Sequence, residues 1–404
     1  MGVIISKSHF TTRIPMRLKK MGRRKFLKHM SLVFGGVVAN PFLGGLSPTH
    51  AEKRPTLEYR ALGRTGLKVT AVSMGVMNCS DPSVLRRAFD LGVNFYDTAD
   101  CYMHGRNEEM VGEVFQGKRD KVFIQTKVHA NDEKRMRASV ERSLRRLRTD
   151  YIDVLVWHNI KTPEEVLDER LFEFMLKMKK EGKARFTGFS SHTHMALLLR
   201  KAANSSYHDV ALVSYNFTHS KDLREAIALA AKSGIGIIAM KTQAGGYKQE
   251  KIGGLTPHQA ALKYILMDQN VSTTIPGVTT IEQIEECVAV MGSPFTKGDL
   301  YELKKYQSFL KNKICTLCDG CIGECPHGVS HQDLLRLVMY QDGYENGSLL
   351  RESIHITHEQ NIRYCLECPS CAIHCRQGLD IHSKIRQIHS LIVKNGRSVN
   401  GNPS

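Results

Sequence analysis

Acidic residues are missing from the first 51 positions, which hold nine Lys and Arg and no Asp or Glu. The formal charge of +17 is therefore unevenly placed: the rest of the 404-residue chain has 48 basic against 40 acidic residues, or +8. A mildly basic body of this kind does not have the composition of a nucleic-acid-binding protein. Cysteine is scarce through residue 300, where only Cys79, Cys101 and Cys287 occur; this excludes a disulfide framework spread along the chain. A long apolar run is also lacking. Met30 to Leu46 is too short and too glycine-rich for a stable membrane span. Nor is there a glycine-rich phosphate loop where an open doubly wound sheet would carry one, since the first strand-like run ends in Ser73-Met-Gly-Val-Met-Asn78.

The basic segment reads as an address. Gly22-Arg-Arg-Lys-Phe-Leu-Lys28 resembles the twin-arginine export signal, with Gly22 where that pattern prefers Ser or Thr, and Thr49-His-Ala51 offers a small-residue cleavage site. Export in the folded state to a periplasmic or other extracytoplasmic space follows from the resemblance, with no membrane span left after signal removal. An uncleaved basic tail on a cytoplasmic protein is the alternative. The expected division is a targeting segment over 1–51, a barrel over 52–295 and a cysteine-rich domain over 296–404.

From residue 57 the pattern is regular. Leu57 to Val69, punctuated by Gly63 and Gly66, suits a hairpin. Apolar runs of strand length follow at 69–77, 94–98, 121–128, 152–157, 184–189, 209–215, 236–240 and 272–275. Stretches of helical period alternate with them near 81–91, 106–116, 133–148, 164–180, 193–203, 221–232, 256–268 and 280–290. Eight strand–helix units in this length predict an α/β fold of the (β/α)8 TIM-barrel type, whose chemistry sits at the C-terminal ends of the strands. Asp97, Tyr102, Lys127, His158, Ser190 and Asn216 fall there. Singly, each has an ordinary structural reading; in successive loops they form one candidate site.

Asp97-Thr-Ala-Asp-Cys-Tyr102 resembles the signature of the aldo-keto reductase family. Lys127 in Ile-Gln-Thr-Lys-Val and His158 in Val-Trp-His-Asn complete that family's tetrad. The opening Leu-Gly-Arg-Thr-Gly, Gly188-Phe-Ser190, Tyr215-Asn216 and Ile275-Pro-Gly-Val-Thr-Thr-Ile-Glu-Gln-Ile-Glu-Glu286 extend the likeness over 57–290. The resemblance implies hydride exchange between a nicotinamide and a small carbonyl or alcohol. In that chemistry Tyr102 donates the proton, Lys127 lowers the phenol's ordinarily high pKa, Asp97 holds Lys127, and His158 orients the carbonyl. It also implies cofactor contacts at Gly75, Ser190, Ser191, Gly277, Thr280, Gln283 and Glu286. Ser191 stands where the family has Asn, Leu212 where it has Gln, and Gly277 and Gln283 where many relatives grip the 2′-phosphate of NADP. Lys241 is then a source of phosphate charge, and both NADP and NAD remain open.

The other eight cysteines lie between 315 and 375. Cys315-x2-Cys318-x2-Cys321-x3-Cys325-Pro has ferredoxin spacing, and Cys365-x2-Cys368-x2-Cys371-x3-Cys375 repeats it with Arg376 in place of Pro. Two [4Fe–4S] clusters are expected in a helical ferredoxin-like domain, with helices over 332–340 and 348–364. In two-cluster ferredoxins the fourth cysteine of each run serves the other cluster. That pairs Cys315, Cys318 and Cys321 with Cys375, and Cys365, Cys368 and Cys371 with Cys325. Zinc is the competing reading, but structural zinc uses paired knuckles rather than triplets plus one. The expected function is a nicotinamide-dependent oxidoreductase whose electrons are relayed through the clusters to a redox partner protein. The alternative is a redox-sensing or electron-transfer subunit using the barrel as a binding module.

Overall fold

A computed structural model describes residues 56–245, 256–344, 347–352 and 362–397. The twin-arginine motif and its cleavage site lie outside the described residues, as does most of the second expected helix of the cysteine-rich domain.

A hairpin opens the chain: β1 (Tyr59–Ala61) pairs antiparallel with β2 (Lys68–Thr70). Eight parallel strands then form one sheet: β3 (Met74–Gly75), β4 (Phe95–Asp97), β5 (Phe123–Val128), β6 (Ile152–Trp157), β7 (Ala184–Ser191), β8 (Val210–Ser214), β9 (Gly236–Met240) and β10 (Val271–Thr274). Each pairs with its sequence neighbour. The parallel bridges Val72↔Thr274 and Gly75↔Gly277 join the first strand to the last, so the sheet closes into a barrel.

The run at 69–77 is not one strand. Its first residues complete the hairpin and its last belong to the barrel, with Ser73 between them bonded to Thr70. Apolarity cannot separate the two because both pieces are buried. The expected helix at 164–180 is also two: α4 (Pro163–Val166) and α5 (Glu169–Lys180). Asp168 breaks them by accepting hydrogen bonds from the Arg170 and Leu171 amides as the N-cap of the second. The remaining barrel helices are α1 (Pro82–Asp90), α2 (Arg106–Val114), α3 (Glu133–Leu147), α6 (Met195–Ala203), α7 (Lys221–Lys232), α8 (Pro257–Leu266) and α9 (Ile281–Val288).

Inside the cylinder, Leu62, Leu67, Val69, Phe95, Val154, Val156, Val210, Leu212 and Ile238 pack together. The hairpin supplies the first three of these and so plugs the N-terminal end. Gly63 is required at its tip, where φ is +51° and a Cβ would lie 2.2 Å from the Gly236 nitrogen. The helix α10 (Lys297–Leu310), expected in the cysteine-rich domain, packs on the barrel instead. Leu303 sits against Ala260 and Ala261, Lys263 pairs with Asp299 at 3.2 Å, and the Tyr306 hydroxyl donates to the Gln243 carbonyl at 2.8 Å.

The cysteine-rich segment covers the opposite end, where the strand C-termini emerge. Asn216 Nδ2 donates to the Thr316 carbonyl at 3.0 Å, and the Met195 amide donates to Asp319 at 3.2 Å. Its own core is Leu334, Leu335, Leu337, Val338, Leu350, Ile373, Ile381, Ile385 and Ile388. These come from α11 (His331–Val338), α12 (Gly347–Glu352) and the helix Ile381–Arg397, except Ile373, which directly precedes the short strand His374–Cys375. Among the described residues no helix is long and apolar enough to cross a membrane.

Candidate active site

Strand alternation builds the floor of the mouth. Gln125 and Lys127 are two apart on β5 and therefore share a face. Both reach Asp97 at the end of β4: Gln125 Nε2 donates to Oδ1 at 2.6 Å and Lys127 Nζ to Oδ2 at 2.7 Å. Lys127 Nζ also donates to the Thr98 carbonyl at 2.7 Å and is 1% exposed. An ion pair this buried survives only because every donor direction is used. The third direction faces Tyr102, whose ring centroid lies 4.7 Å from Nζ. Tyr102 begins a short turn (Tyr102–Gly105) in which Met103 and His104 both have positive φ. Arg146 packs across Gly105, donates to the Asp100 carbonyl at 2.9 Å and pairs with buried Glu108, bracing the loop from behind.

His158 follows β6 and meets Tyr102 edge-on at 5.7 Å between centroids, with His129 at 4.6 Å on its other side. Burial, His129 and Lys127 hold its imidazole well below the ordinary histidine range, so it is neutral at pH 7. The four residues expected as a tetrad are thus brought together. One electrostatic expectation is reversed. Burial pushes the Tyr102 phenol well above its ordinary value; Asp97 and Cys101 push the same way, and Arg336 is the neighbour that opposes them. Lys127 is already neutralised by Asp97, so its net effect on the phenol is small.

Asp97, Tyr102 and His158 line a cleft of about 730 Å³ with Gly75, His192, Lys241, Gly277, Arg336 and Tyr340. Of the expected cofactor residues, Gly75, Lys241 and Gly277 face it. A Cβ on Gly75 would lie 2.8 Å from the Ile275 carbonyl oxygen. Ser190 and Ser191 are buried at the end of β7: Ser190 Oγ accepts from the Asn159 amide at 3.0 Å, and Ser191 Oγ donates to the Thr193 carbonyl at 2.8 Å. Thr280 caps α9, Gln283 folds back on Thr279, and Glu286 is hydrogen-bonded to Thr256; none of the three lines the cleft.

The family model described as Aldo/keto reductase family matches residues 80–253 and 247–307. This chain belongs to that family. L-galactose dehydrogenase of Arabidopsis thaliana is 27% identical over 282 residues, covering 58% of this chain and 88% of that one. The uncharacterized oxidoreductase YrpG of Bacillus subtilis is 30% identical over 224 residues, covering 47% and 68%. Among solved structures, the aldo-keto reductase AKR11C1 from Bacillus halodurans in its holo form superposes with a TM-score of 0.53 at 25% identity, covering 62% of this chain and 96% of that chain. The protein is an oxidoreductase enzyme.

What sequence reasoning missed is supplied to the aldo/keto reductase cleft by the cysteine-rich domain. Arg336, Asp333 and Tyr340 enter from α11 and the turn after it. Arg336 Nη2 lies 3.2 Å from Asp333 Oδ1, and Asp333 Oδ2 pairs with Lys161 across the domain junction at 2.7 Å. Lys241 Nζ reaches the Tyr344 hydroxyl at 3.1 Å and lies 5.0 Å from the Tyr340 ring centroid. Burial, Arg336 and Lys127 push Lys241 down to about 7.

The cysteines fall into two groups. Cys321 pairs with Cys375 across the small antiparallel ladder joining Cys321–Ile322 to His374–Cys375. Cys315, Cys318, Cys321 and Cys375 line one small cavity, together with His192. Cys365 interacts electrostatically with Cys325, Cys371 and Cys368. Burial and its neighbours push the Cys321 thiol up to about 12. Sulfurs gathered like this take up charge together only around a cation.

Proposed function

We propose that this enzyme reduces a small carbonyl compound with a nicotinamide cofactor, and that its cysteine-rich domain holds two [4Fe–4S] clusters. The observation that carries the catalytic half is the Tyr102–Lys127–Asp97 arrangement, closed by a neutral His158, at the mouth of a barrel. A nicotinamide in the cleft supplies the hydride. The floor fits such a group: Gly75 and Gly277 leave it backbone-lined, and Lys241 offers positive charge for phosphate.

The protein's own residues handle the proton. Tyr102, kept protonated by burial, donates from its hydroxyl to the carbonyl oxygen. Lys127, fixed by Asp97, lies against the face of the Tyr102 ring and holds it in place. His158 hydrogen-bonds the carbonyl and sets its angle. A phenol with a raised pKa stays protonated, and so ready to donate, across neutral pH.

For the clusters, support comes from the crossed grouping of the cysteines. The set around Cys375 shares its cavity with His192, a residue that also lines the catalytic cleft. Clusters held there would supply one-electron exchange with a redox partner protein. The twin-arginine motif supports export of the folded, cluster-loaded protein. Anaerobic oxidation of NADPH or NADH on addition of small aldehydes and ketones, with iron measured on the same sample, tests the proposal. Both dinucleotides left unoxidised across the carbonyl panel contradict the catalytic half, and iron-free protein contradicts the other.

A further inference from the structure

Arg336 is 7% exposed and lines the cleft beside Tyr102 and His158. Two of its nitrogens are occupied: Nη2 by Asp333, and Nη1 by His192 Nδ1 at 3.3 Å. Its Nε is buried and has no hydrogen-bond partner among the described residues. Leaving an N–H of a guanidinium unsatisfied in the interior is costly. Charge is unsatisfied too. Asp333 is shared between Arg336 and Lys161, so one carboxylate stands against two cations.

Docking the cysteine-rich domain does not explain this group. The junction is held without it: Asp333 pairs with Lys161 and accepts from Asn159 Nδ2 at 3.3 Å, Asn216 donates to the Thr316 carbonyl, and the Met195 amide donates to Asp319. The barrel partner of Arg336 is His192, a neutral imidazole. Lys241, in the same cleft as Gly75 and Gly277, is the cation assigned to the cofactor phosphates, which leaves Arg336 for a second anion.

We propose that the substrate is an oxo acid, and that Arg336 binds its carboxylate while Tyr102 and His158 address its carbonyl. This rests on the carbonyl-reductase reading and names the substrate class for the same site. A charge-assisted hydrogen bond from a desolvated guanidinium discriminates an anion from a neutral analogue by about tenfold or more.

The test is calorimetric binding to the full-length, cluster-loaded protein saturated with NADP+, which cannot reduce the ligands. The probes are 2-oxobutanoate and 4-oxobutanoate, against butan-2-one and butanal as neutral partners of equal length. At least one acid should bind about tenfold more tightly than its neutral partner. Arg336→Gln should remove that preference, Arg336→Lys should keep part of it, and NADP+ affinity should stay within about twofold in both. Neutral compounds binding as well as the acids, or no ligand binding, overturns the proposal using wild-type protein alone. A preference surviving in Arg336→Gln, or an equal loss of NADP+ binding there, also overturns it. Because no turnover is needed, oxo acids that bind and are not reduced by the NADPH form would defeat the catalytic reading and leave the anion site standing.

Discussion

Lys127 donates to Asp97 across 2.7 Å in the barrel interior while its ammonium lies 4.7 Å from the centre of the Tyr102 ring. The ion pair both positions the ammonium and spends its charge, and the phenol beside it stays protonated.

That balance sets a pH dependence. With the Tyr102 pKa raised above its ordinary 10, the donor is intact through neutral and mildly alkaline pH. The rate of carbonyl reduction should show no loss attributable to Tyr102 between pH 7 and roughly 10. Alcohol oxidation needs the phenolate and should rise about tenfold per pH unit over the same range. Initial-rate profiles in both directions check this, and a reduction rate that falls with an apparent pKa near 7 contradicts it.

Lys241 gives a second pH effect. Its folded-state pKa is depressed to about 7, so between the ordinary lysine value and 7 the unfolded chain binds a proton that the fold does not. Lys241 therefore makes the apoprotein less stable as pH falls through that window, with no further loss below about 7. Lys241→Met should stabilise the apoprotein at pH 7 and flatten this slope in denaturant titrations. If Lys241 faces the cofactor phosphates, the same variant binds NADP+ about tenfold more weakly, and wild-type affinity declines as pH rises above 7.

Crossed ligation has a direct iron readout. Cys318→Ser combined with Cys375→Ser should damage one site and leave one cluster, about four irons per chain. Uncrossed ligation predicts loss of both clusters from the same double variant. Iron content with low-temperature electron paramagnetic resonance separates the two.

Divalent metals should act at the lip of the cleft. One donor atom each from Asp100, Cys101, His129 and His158 lies within 4.8 Å of the others, a sulfur, nitrogen and oxygen set that suits Zn²⁺. Micromolar Zn²⁺ is expected to inhibit reduction by capturing His158. Cys101→Ala should weaken that inhibition by roughly tenfold, and chelation should restore activity with iron content unchanged. Inhibition unaltered in Cys101→Ala would place the metal elsewhere.

Much of the barrel was legible because strand and helix periods alternate without interruption from β4 to α9. The tetrad was legible because it lies in successive strand-end loops. Val69–Met77 misled because hairpin and barrel both bury it, so the apolar pattern carries no boundary. The break at Asp168 had a local signal, an N-cap residue ahead of Glu169-Arg-Leu, which the helical period of the flanks concealed. Arg336 had none. It stands 234 residues from Tyr102, and with Asp333 one turn before it in α11 it reads as a surface ion pair. Only the packing of the cysteine-rich domain over the barrel mouth turns that pair inward. The phenol's raised pKa was hidden because burial dominates it, and the burial of a residue in a strand-end loop is set by packing that no local pattern carries.

The account rests most on Tyr102 as the proton donor, and single-turnover reduction by Tyr102→Phe tests it most directly. NADPH binding, followed by fluorescence, should remain within about twofold of wild type, while the rate of hydride transfer to an aldehyde falls by about a thousandfold or more. A variant that binds NADPH and reduces the aldehyde at the wild-type rate would contradict the account.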